Sequence, residues 1–389
     1  MPKITWINIL HFYQPPTADN ETVAMAAAKS YQRIIGALQR NPRIKFTANL
    51  TGCLLEKLDK LGYHGLLNDL KILRERGQIE LTGTAAFHPL LPLLPAAEIK
   101  NNIKANQQIL KKYFGENFNA QGFFPPELAY GPDLAEIISS YGFKWLMLDE
   151  ISATGKLNQI NFNKLYREKH TGLKICFRSR ELSRSYAPKT IFDLIDQNYT
   201  GTAITATDAE LYGLRHEDHT ATFEKLLKRP EIETKTVSEF LAGLPDEIAI
   251  VPVASSWEST EAELNQGLPY ALWQNKNNQI QKLLWQLADL AISTVNQYRH
   301  DGNYVWARHH LDRGLASCTF WWASARDFKL FDALAWSPDE IERGLNELIR
   351  SIRALADPAT KPAKIAGEKL YIKIKTLIWH KHWHYYWQP

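Results

Sequence analysis

The sequence is poor in cysteine and methionine, with three of each among 389 residues. The cysteines, at positions 53, 176 and 318, lie far apart, so the chain has no CxxC metal-binding pair and no disulfide framework. Such sparse use is typical of a reducing compartment and predicts a cytoplasmic protein. Apolar runs are also short, well below the roughly 18 residues of a membrane-spanning helix, and residues 1–11 are typical of a strand rather than a signal peptide. We therefore expect no membrane partner.

An excess of charge of one sign is missing over most of the chain. Forty-six basic and 42 acidic residues give a net charge of +4, and residues 361–389 alone contribute six lysines against Glu368. Because a nucleic-acid-binding domain usually carries a basic face or stripe, we expect no nucleic-acid partner. The short basic tail keeps such a role only as a remote alternative, and the sequence leaves the oligomeric state open.

Tryptophan, by contrast, is plentiful and unevenly placed. Of twelve tryptophans, only Trp6 and Trp145 precede residue 257. Any function proposed for the chain has to account for this skew or attribute it to packing.

The first 210 residues alternate short apolar runs with amphipathic helical segments, which is typical of a parallel sheet with helical crossovers. This α/β pattern favours a seven-stranded barrel over an open sheet, and no G-x-G-x-x-G follows the first strand to indicate a dinucleotide site. Beyond about residue 270 the periodicity is helical. We therefore predict a catalytic barrel domain over 1–270 and a helical domain over 271–389. The runs predicted as strands are 4–10, 44–50, 78–82, 121–124, 143–148, 173–177 and 202–205.

Polar side chains follow nearly every predicted strand. In a parallel barrel the catalytic groups come from the carboxyl ends of the strands, so these side chains are expected to meet at one mouth. They are His11, Gln14, Glu80, His88, Glu127, Asp149, Glu150, Arg178, Arg180, Asp208 and Glu210.

Each of these residues also has a simpler interpretation. Glu127 follows two prolines and can be a solvated turn, although adjacent prolines would also hold a carboxylate rigidly. Asp208 can cap a helix, His11 and His88 can be core histidines, and paired tryptophans more often pack than bind ligand.

Taken together, five segments in order resemble glycoside hydrolase family 57, whose members are retaining enzymes acting on α-glucans. The segments span roughly residues 4–285. They are His11-Phe-Tyr-Gln14-Pro-Pro; Gly77-Gln-Ile-Glu80-Leu-Thr-Gly83 with His88-Pro; Gly122-Phe-Phe-Pro-Pro-Glu127-Leu-Ala-Tyr130; Thr207-Asp208-Ala-Glu210-Leu-Tyr212-Gly213; and Ser256-Trp257-Glu258 with Leu264 to Trp273.

The resemblance implies an incomplete (β/α)7 barrel followed by a helical domain, and an α-glucan oligo- or polysaccharide as substrate. It implies Glu127 as the nucleophile and Asp208 as the general acid/base, with no cofactor and no metal. A retaining pair of carboxyl groups stands about 5–5.5 Å apart. The substrate-binding residues we expect are His11, Gln14, Glu80, His88, Trp145, Tyr212, Trp257, Trp273 and Trp321, of which Trp257 and Trp273 are the foremost sugar platforms.

Hydrolysis and glycosyl transfer both stay open at this point. A non-catalytic glucan-binding homologue is a second hypothesis, favoured by the aromatic content. A carbohydrate deacetylase on a related barrel is a third. That enzyme would need an early Asp-Asp pair and a His-x-x-x-His helix, and residues 1–270 show neither.

Overall fold

A computed structural model describes residues 4–245, 247–326 and 335–386 of the chain. The chain forms two compact units. The first contains the chain up to Gln14 together with Ala18–Ala86 and Leu91–Leu264, and the second contains Pro15–Thr17, Phe87–Leu90 and the chain from Asn265 onward. Over the described ranges, no helix has both the length and the apolar character needed to cross a bilayer.

The strands of the first unit form two sheets rather than one closed barrel. The first sheet is entirely parallel, in the order β3-β2-β1-β8, with β9 also paired to β1. The second has the order β10-β6-β7-β5-β4, in which only β6 and β7 are antiparallel. The strands are β1 (Ile4–Phe12), β2 (Phe46–Leu50), β3 (Ile79–Thr82), β4 (Gly122–Phe123), β5 (Trp145–Asp149), β6 (Leu165–Glu168), β7 (Lys174–Arg178), β8 (Gly201–Asp208), β9 (Ile232–Thr234) and β10 (Glu247–Ile250).

All seven predicted strands are present, so the α/β class is confirmed, whereas the single closed barrel favoured by the sequence is not observed. The two sheets meet through isolated backbone hydrogen bonds. Gly83 N donates to Gly122 O at 2.8 Å between β3 and β4, and Ser179 N donates to Ile204 O at 3.0 Å between β7 and β8. A core of buried apolar side chains from both sheets and the segments beside them includes Ile9, Phe124, Trp145, Met147, Ile204 and Ala206.

Helices connect these strands, and after β10 the described secondary structure is helical. The helical C-terminal region predicted from the sequence is confirmed, and its longest members pack against one another. The helices are α1 (Asn20–Ala26), α2 (Gln32–Arg40), α3 (Gly52–Lys60), α4 (His64–Glu75), α5 (Ala96–Phe114), α6 (Pro132–Ser140), α7 (Arg180–Ser183), α8 (Ala187–Asp196), α9 (Thr222–Leu226), α10 (Val237–Ala242), α11 (Glu261–Asn265), α12 (Gln279–Gln297), α13 (Tyr304–Gly314), α14 (Ser317–Trp321), α15 (Pro338–Arg353) and α16 (Lys361–Lys381).

Candidate active site

The turn after β4 holds Glu127 in an unusual backbone conformation. Glu127 has φ 60° and Leu128 has φ 46°, so two successive non-glycine residues occupy the left-handed region. The left-handed conformation raises the conformational free energy of each non-glycine residue by about 1–2 kcal/mol. Pro125 and Pro126 restrict the approach to the turn, and Leu128 N closes it by donating to Pro125 O at 2.9 Å. Strained backbone of this kind concentrates at functional sites, where the surrounding structure holds it in place.

The Glu127 carboxylate is held by Trp257. The indole Nε1–H donates to Glu127 Oε2 at 2.8 Å, and the Trp257 amide donates to the Glu127 carbonyl at 3.1 Å. A second tie joins the same two segments, because Tyr130 N donates to Ser255 O at 2.8 Å. The indole bond is charge-assisted, so it both favours the ionised carboxylate and fixes its orientation.

Asp208 ends β8, directly beside the end of β1. His11 is the register partner of Asp208 in the parallel pairing of these strands. The Asp208 side chain is about one-third exposed, and its Oδ2 lies 3.8 Å from Nη1 of Arg215. The carboxylate therefore faces solvent at the carboxyl edge of the sheet, where a ligand can reach it.

His11 lies between the strand that carries Asp208 and the turn that carries Glu127. Its ring stacks on Phe124 with centroids 5.2 Å apart, and its Nδ1 is 2.7 Å from Asn49 Oδ1. Burial lowers the pKa of His11, while the charge of Asp208 opposes that shift. The imidazole is therefore neutral near pH 7 and contributes no full positive charge to the site.

Glu210 is a second carboxyl group close to Asp208, and it is buried. Gln14 Nε2 donates to its Oε1 at 2.9 Å, and the Tyr31 hydroxyl donates to the same oxygen. Burial first, and then the charge of Asp208, raises the pKa of Glu210 to about 7. Substrate binding by Gln14 stays a prediction; in this structure its side chain orients the Glu210 carboxyl group.

Several predicted sugar platforms are buried, and for them the prediction of an exposed aromatic face is wrong. Trp273 and Tyr212 are 0% exposed and Trp145 is 2% exposed, so a sugar ring cannot stack on any of them in this structure. Tyr212 packs edge-on against Tyr186 and Phe223. Helical and strand periodicity distinguishes apolar from polar faces but cannot tell a platform from a core residue.

Glu80 and Trp145 both direct their polar atoms to the start of α10. Ser238 donates to the Glu80 carboxylate through its amide, at 3.0 Å, and through its hydroxyl. Trp145 Nε1 in turn donates to Ser238 Oγ at 2.9 Å. Burial raises the pKa of Glu80. This carboxyl group joins β3 to α10 and is already occupied by protein donors.

The remaining predicted residues belong to the second unit. His88 is buried, has φ 56°, and places its Nδ1 3.0 Å from Ser317 Oγ, while Ser317 N donates to the His88 carbonyl at 2.9 Å. Trp321 is half-buried and lies edge-on to Trp322. Trp273, whose carbonyl accepts from Trp285 Nε1 at 2.9 Å, completes this group.

A buried ion-pair cluster next to Trp257 was not predicted as a unit. Asp149, which is 0% exposed, accepts from Arg178 Nε at 2.8 Å and from Arg180 Nη2 at 2.7 Å. The sequence placed all three residues at strand ends, but their pairing depends on the parallel alignment of β5 and β7. Over the described ranges, no three His, Cys, Asp or Glu side chains cluster in the manner of metal ligands.

Comparison with known proteins identifies the family. The sequence model of glycosyl hydrolase family 57 matches residues 21–252, which is more than half of the chain. This chain belongs to glycosyl hydrolase family 57. Its residues Glu127 and Asp208 both fall within the matched range.

Curated relatives of this family 57 chain are considerably longer. An alpha-amylase of Pyrococcus horikoshii is 23% identical over 284 residues, which cover 68% of this chain and 44% of the relative. A 4-alpha-glucanotransferase of Thermococcus litoralis is 24% identical over 285 residues, covering 68% and 42% respectively. The chain thus matches less than half the length of these curated relatives.

Solved structures extend the similarity of the fold to nearly the whole chain. A branching enzyme of the same family from Pyrococcus horikoshii superposes with a TM-score of 0.68 at 16% identity, covering 96% of this chain and 95% of that one. The alpha-amylase of Thermotoga maritima superposes with a TM-score of 0.64 at 12% identity, covering 96% and 99%. At these identities the superpositions establish a shared fold.

Proposed function

We propose that this family 57 chain is a retaining glycoside hydrolase or transglycosylase that acts on α-glucans. The observation that carries the proposal is the Glu127 carboxylate, held on a strained turn by the Trp257 indole within the range that matches the family. Relatives named alpha-amylase, 4-alpha-glucanotransferase and branching enzyme supply the substrate class.

In the proposed reaction Glu127 attacks the anomeric carbon while the glycosidic C–O bond breaks. Asp208 donates its proton to the departing oxygen, and a covalent glycosyl-enzyme ester forms. Asp208 then removes a proton from water or from an acceptor-sugar hydroxyl. The resulting oxygen nucleophile attacks the same carbon, and Glu127 leaves as a carboxylate. The anomeric configuration is therefore retained.

The side chains around the two carboxyl groups support these roles. Trp257 donates to the anionic form of Glu127, which suits a nucleophile that must be ionised at the start and the end of the cycle. Two ionisable groups flank Asp208. They are Arg215, whose Nη1 stands 3.8 Å from Asp208 Oδ2, and the buried Glu210. The Asp208 side chain is about one-third exposed, so a sugar hydroxyl or a water molecule can reach the group that has to donate and then accept a proton.

The architecture we propose for this reaction is an incomplete (β/α)7 barrel over residues 1–270 with a helical domain over 271–389. The isolated hydrogen bonds that join β3 to β4 and β7 to β8 support a barrel interrupted at two seams. The carboxyl ends of β4 and β8 carry Glu127 and Asp208, as the active-site rule for parallel barrels requires.

The proposal is tested by incubating the pure protein with maltoheptaose and resolving the products by chromatography. Shorter products alone indicate hydrolysis, and longer products indicate transfer. Glu127→Ala and Asp208→Ala should each remove turnover while the circular dichroism spectrum and the melting temperature stay near the wild-type values. An absence of products from the wild-type protein with maltoheptaose, amylose and glycogen, or full activity in the Glu127 variant, would contradict the proposal.

A further inference from the structure

Arg178 contacts the immediate surroundings of both proposed catalytic carboxyl groups. It ends β7, is 7% exposed, and uses each nitrogen of its guanidinium group for a different partner. Nε donates to Asp149 at 2.8 Å, Nη1 donates to the Ala206 carbonyl at 3.0 Å, and Nη2 donates to the Trp257 carbonyl at 3.2 Å. Planar five-donor geometry of this kind is particular to arginine.

Two of these partners lead directly to the carboxyl groups. Ala206 lies on β8, two residues before Asp208. Trp257 donates its indole N–H to Glu127, and the Arg178 guanidinium carbon also stands 5.6 Å from the centroid of the Trp257 ring. One buried cation therefore contacts both the strand that carries the proposed acid/base and the side chain that holds the proposed nucleophile.

The neighbouring Arg180 provides a contrast within the same cluster. It binds the same carboxylate, with Nε and Nη2 at 3.0 and 2.7 Å from Asp149 Oδ1. The other hydrogen bonds of its guanidinium group go to the carbonyls of Ser259, at 2.7 Å, and Ser256, at 3.4 Å. These carbonyls flank Trp257, but none of the hydrogen bonds of Arg180 reaches Trp257 itself or β8.

We propose that Arg178 is a positioning residue that fixes the relative placement of Glu127 and Asp208, and that its role is separate from neutralising Asp149. The inference rests on the proposed function. A displacement of about 1 Å between reacting groups can cost about 100-fold in rate. A guanidinium group with three partners can prevent such a displacement, because it bonds β8 and Trp257 at the same time, whereas the sheets that contain β4 and β8 meet through isolated hydrogen bonds.

The test compares Arg178→Lys with Arg180→Lys, because both variants leave Asp149 with one arginine and one lysine. Lysine preserves the charge but, as a point charge, cannot reproduce the fork. We expect Arg178→Lys to lower kcat by about 10- to 100-fold with KM within about threefold of wild type. Arg180→Lys should lower kcat by less than about threefold, with a similar loss of melting temperature in both variants. The proposal would be overturned if the two variants lost kcat equally, or if Arg178→Lys kept the wild-type kcat.

A second readout does not depend on turnover. In protein labelled with ¹⁵N-tryptophan, the indole N–H signal of Trp257 can be assigned from its absence in Trp257→Phe. Solvent exchange of that proton should accelerate about tenfold or more in Arg178→Lys and stay unchanged in Arg180→Lys, because Arg178, and not Arg180, hydrogen-bonds to the Trp257 carbonyl and stands over its ring. An unchanged exchange rate of the Trp257 indole proton in Arg178→Lys would overturn the proposal, whether or not the wild-type protein turns over α-glucan. A wild-type protein without products would instead contradict the proposed function, so the two failures are distinguishable.

Discussion

The hydrogen bond from Trp257 to Glu127 gives a sharp prediction for the two chemical steps. Trp257→Phe removes the indole N–H, whose nitrogen lies 2.8 Å from Glu127 Oε2, but keeps an aromatic ring packed against the apolar core. A hydrogen bond to a charged group contributes about 1.5–3 kcal/mol. At 1.36 kcal/mol per factor of ten in rate, its loss corresponds to roughly 10- to 100-fold.

The loss should appear mainly in the second step. In the proposed mechanism Glu127 gives up its negative charge when it forms the ester and regains it when it leaves, so the bond from Trp257 contributes least in the ester. Trp257→Phe should therefore slow deglycosylation about 10- to 100-fold and cause the covalent intermediate to accumulate.

Stopped-flow kinetics with an aryl α-maltoside separate these steps, since release of the phenol reports glycosylation and the steady state reports the slower step. The matched control is Trp6→Phe, which removes another buried indole N–H, bonded at 2.9 Å to the neutral hydroxyl of Thr205. The control should lose stability but show no burst. If Trp257→Phe behaves like this control, the assignment of the indole to the nucleophile is refuted.

Three further predictions concern stability. Glu210 stays protonated in the native protein up to about pH 7, whereas in the unfolded chain it ionises near pH 4.5. The free energy of unfolding of the wild type should therefore fall by up to about 3 kcal/mol as the pH rises between these values. In urea unfolding at pH 5 and pH 8, Glu210→Gln should remove this fall. Glu127→Gly should be about 1 kcal/mol more stable than Glu127→Ala, since φ is 60° there, and equal stabilities would argue against strain. Gly122→Ala would place its Cβ 1.9 Å from the Trp145 ring and should lower the free energy of unfolding by about 1–3 kcal/mol or more. The control Gly65→Ala has open space around the new Cβ and should leave stability unchanged or raise it. Calorimetry of the two variants measures the difference.

Much of the first unit could be predicted because local signals and long-range structure agree there. Apolar runs bounded by turns marked seven strands, and the polar residues after them gave Glu127 and Asp208 as candidates. The strands that were missed are short. Strand β10 is largely exposed, so its residues 247–250 carry no burial pattern that a sequence reader could detect.

The partners of the site residues could not be predicted in the same way. Trp257 was expected to bind sugar, and its bond to Glu127 depends on contacts across 130 residues of sequence. Trp273 resembled a platform in composition, but complete burial of its ring is decided by tertiary packing alone. The tryptophan skew noted at the outset therefore reflects packing at Trp273 and support of a carboxylate at Trp257.

The most direct test of the central claim is to trap the covalent intermediate. Incubation with a 5-fluoro-α-glucosyl or maltosyl fluoride should slow the second step enough for the ester to accumulate, and peptide mass spectrometry would locate it. We predict that the label lies on Glu127, in the peptide that contains Phe124-Pro-Pro-Glu127-Leu-Ala-Tyr130. A label on another carboxylate such as Asp208, or turnover of α-glucan with inverted configuration and no covalent species, would contradict the proposed mechanism.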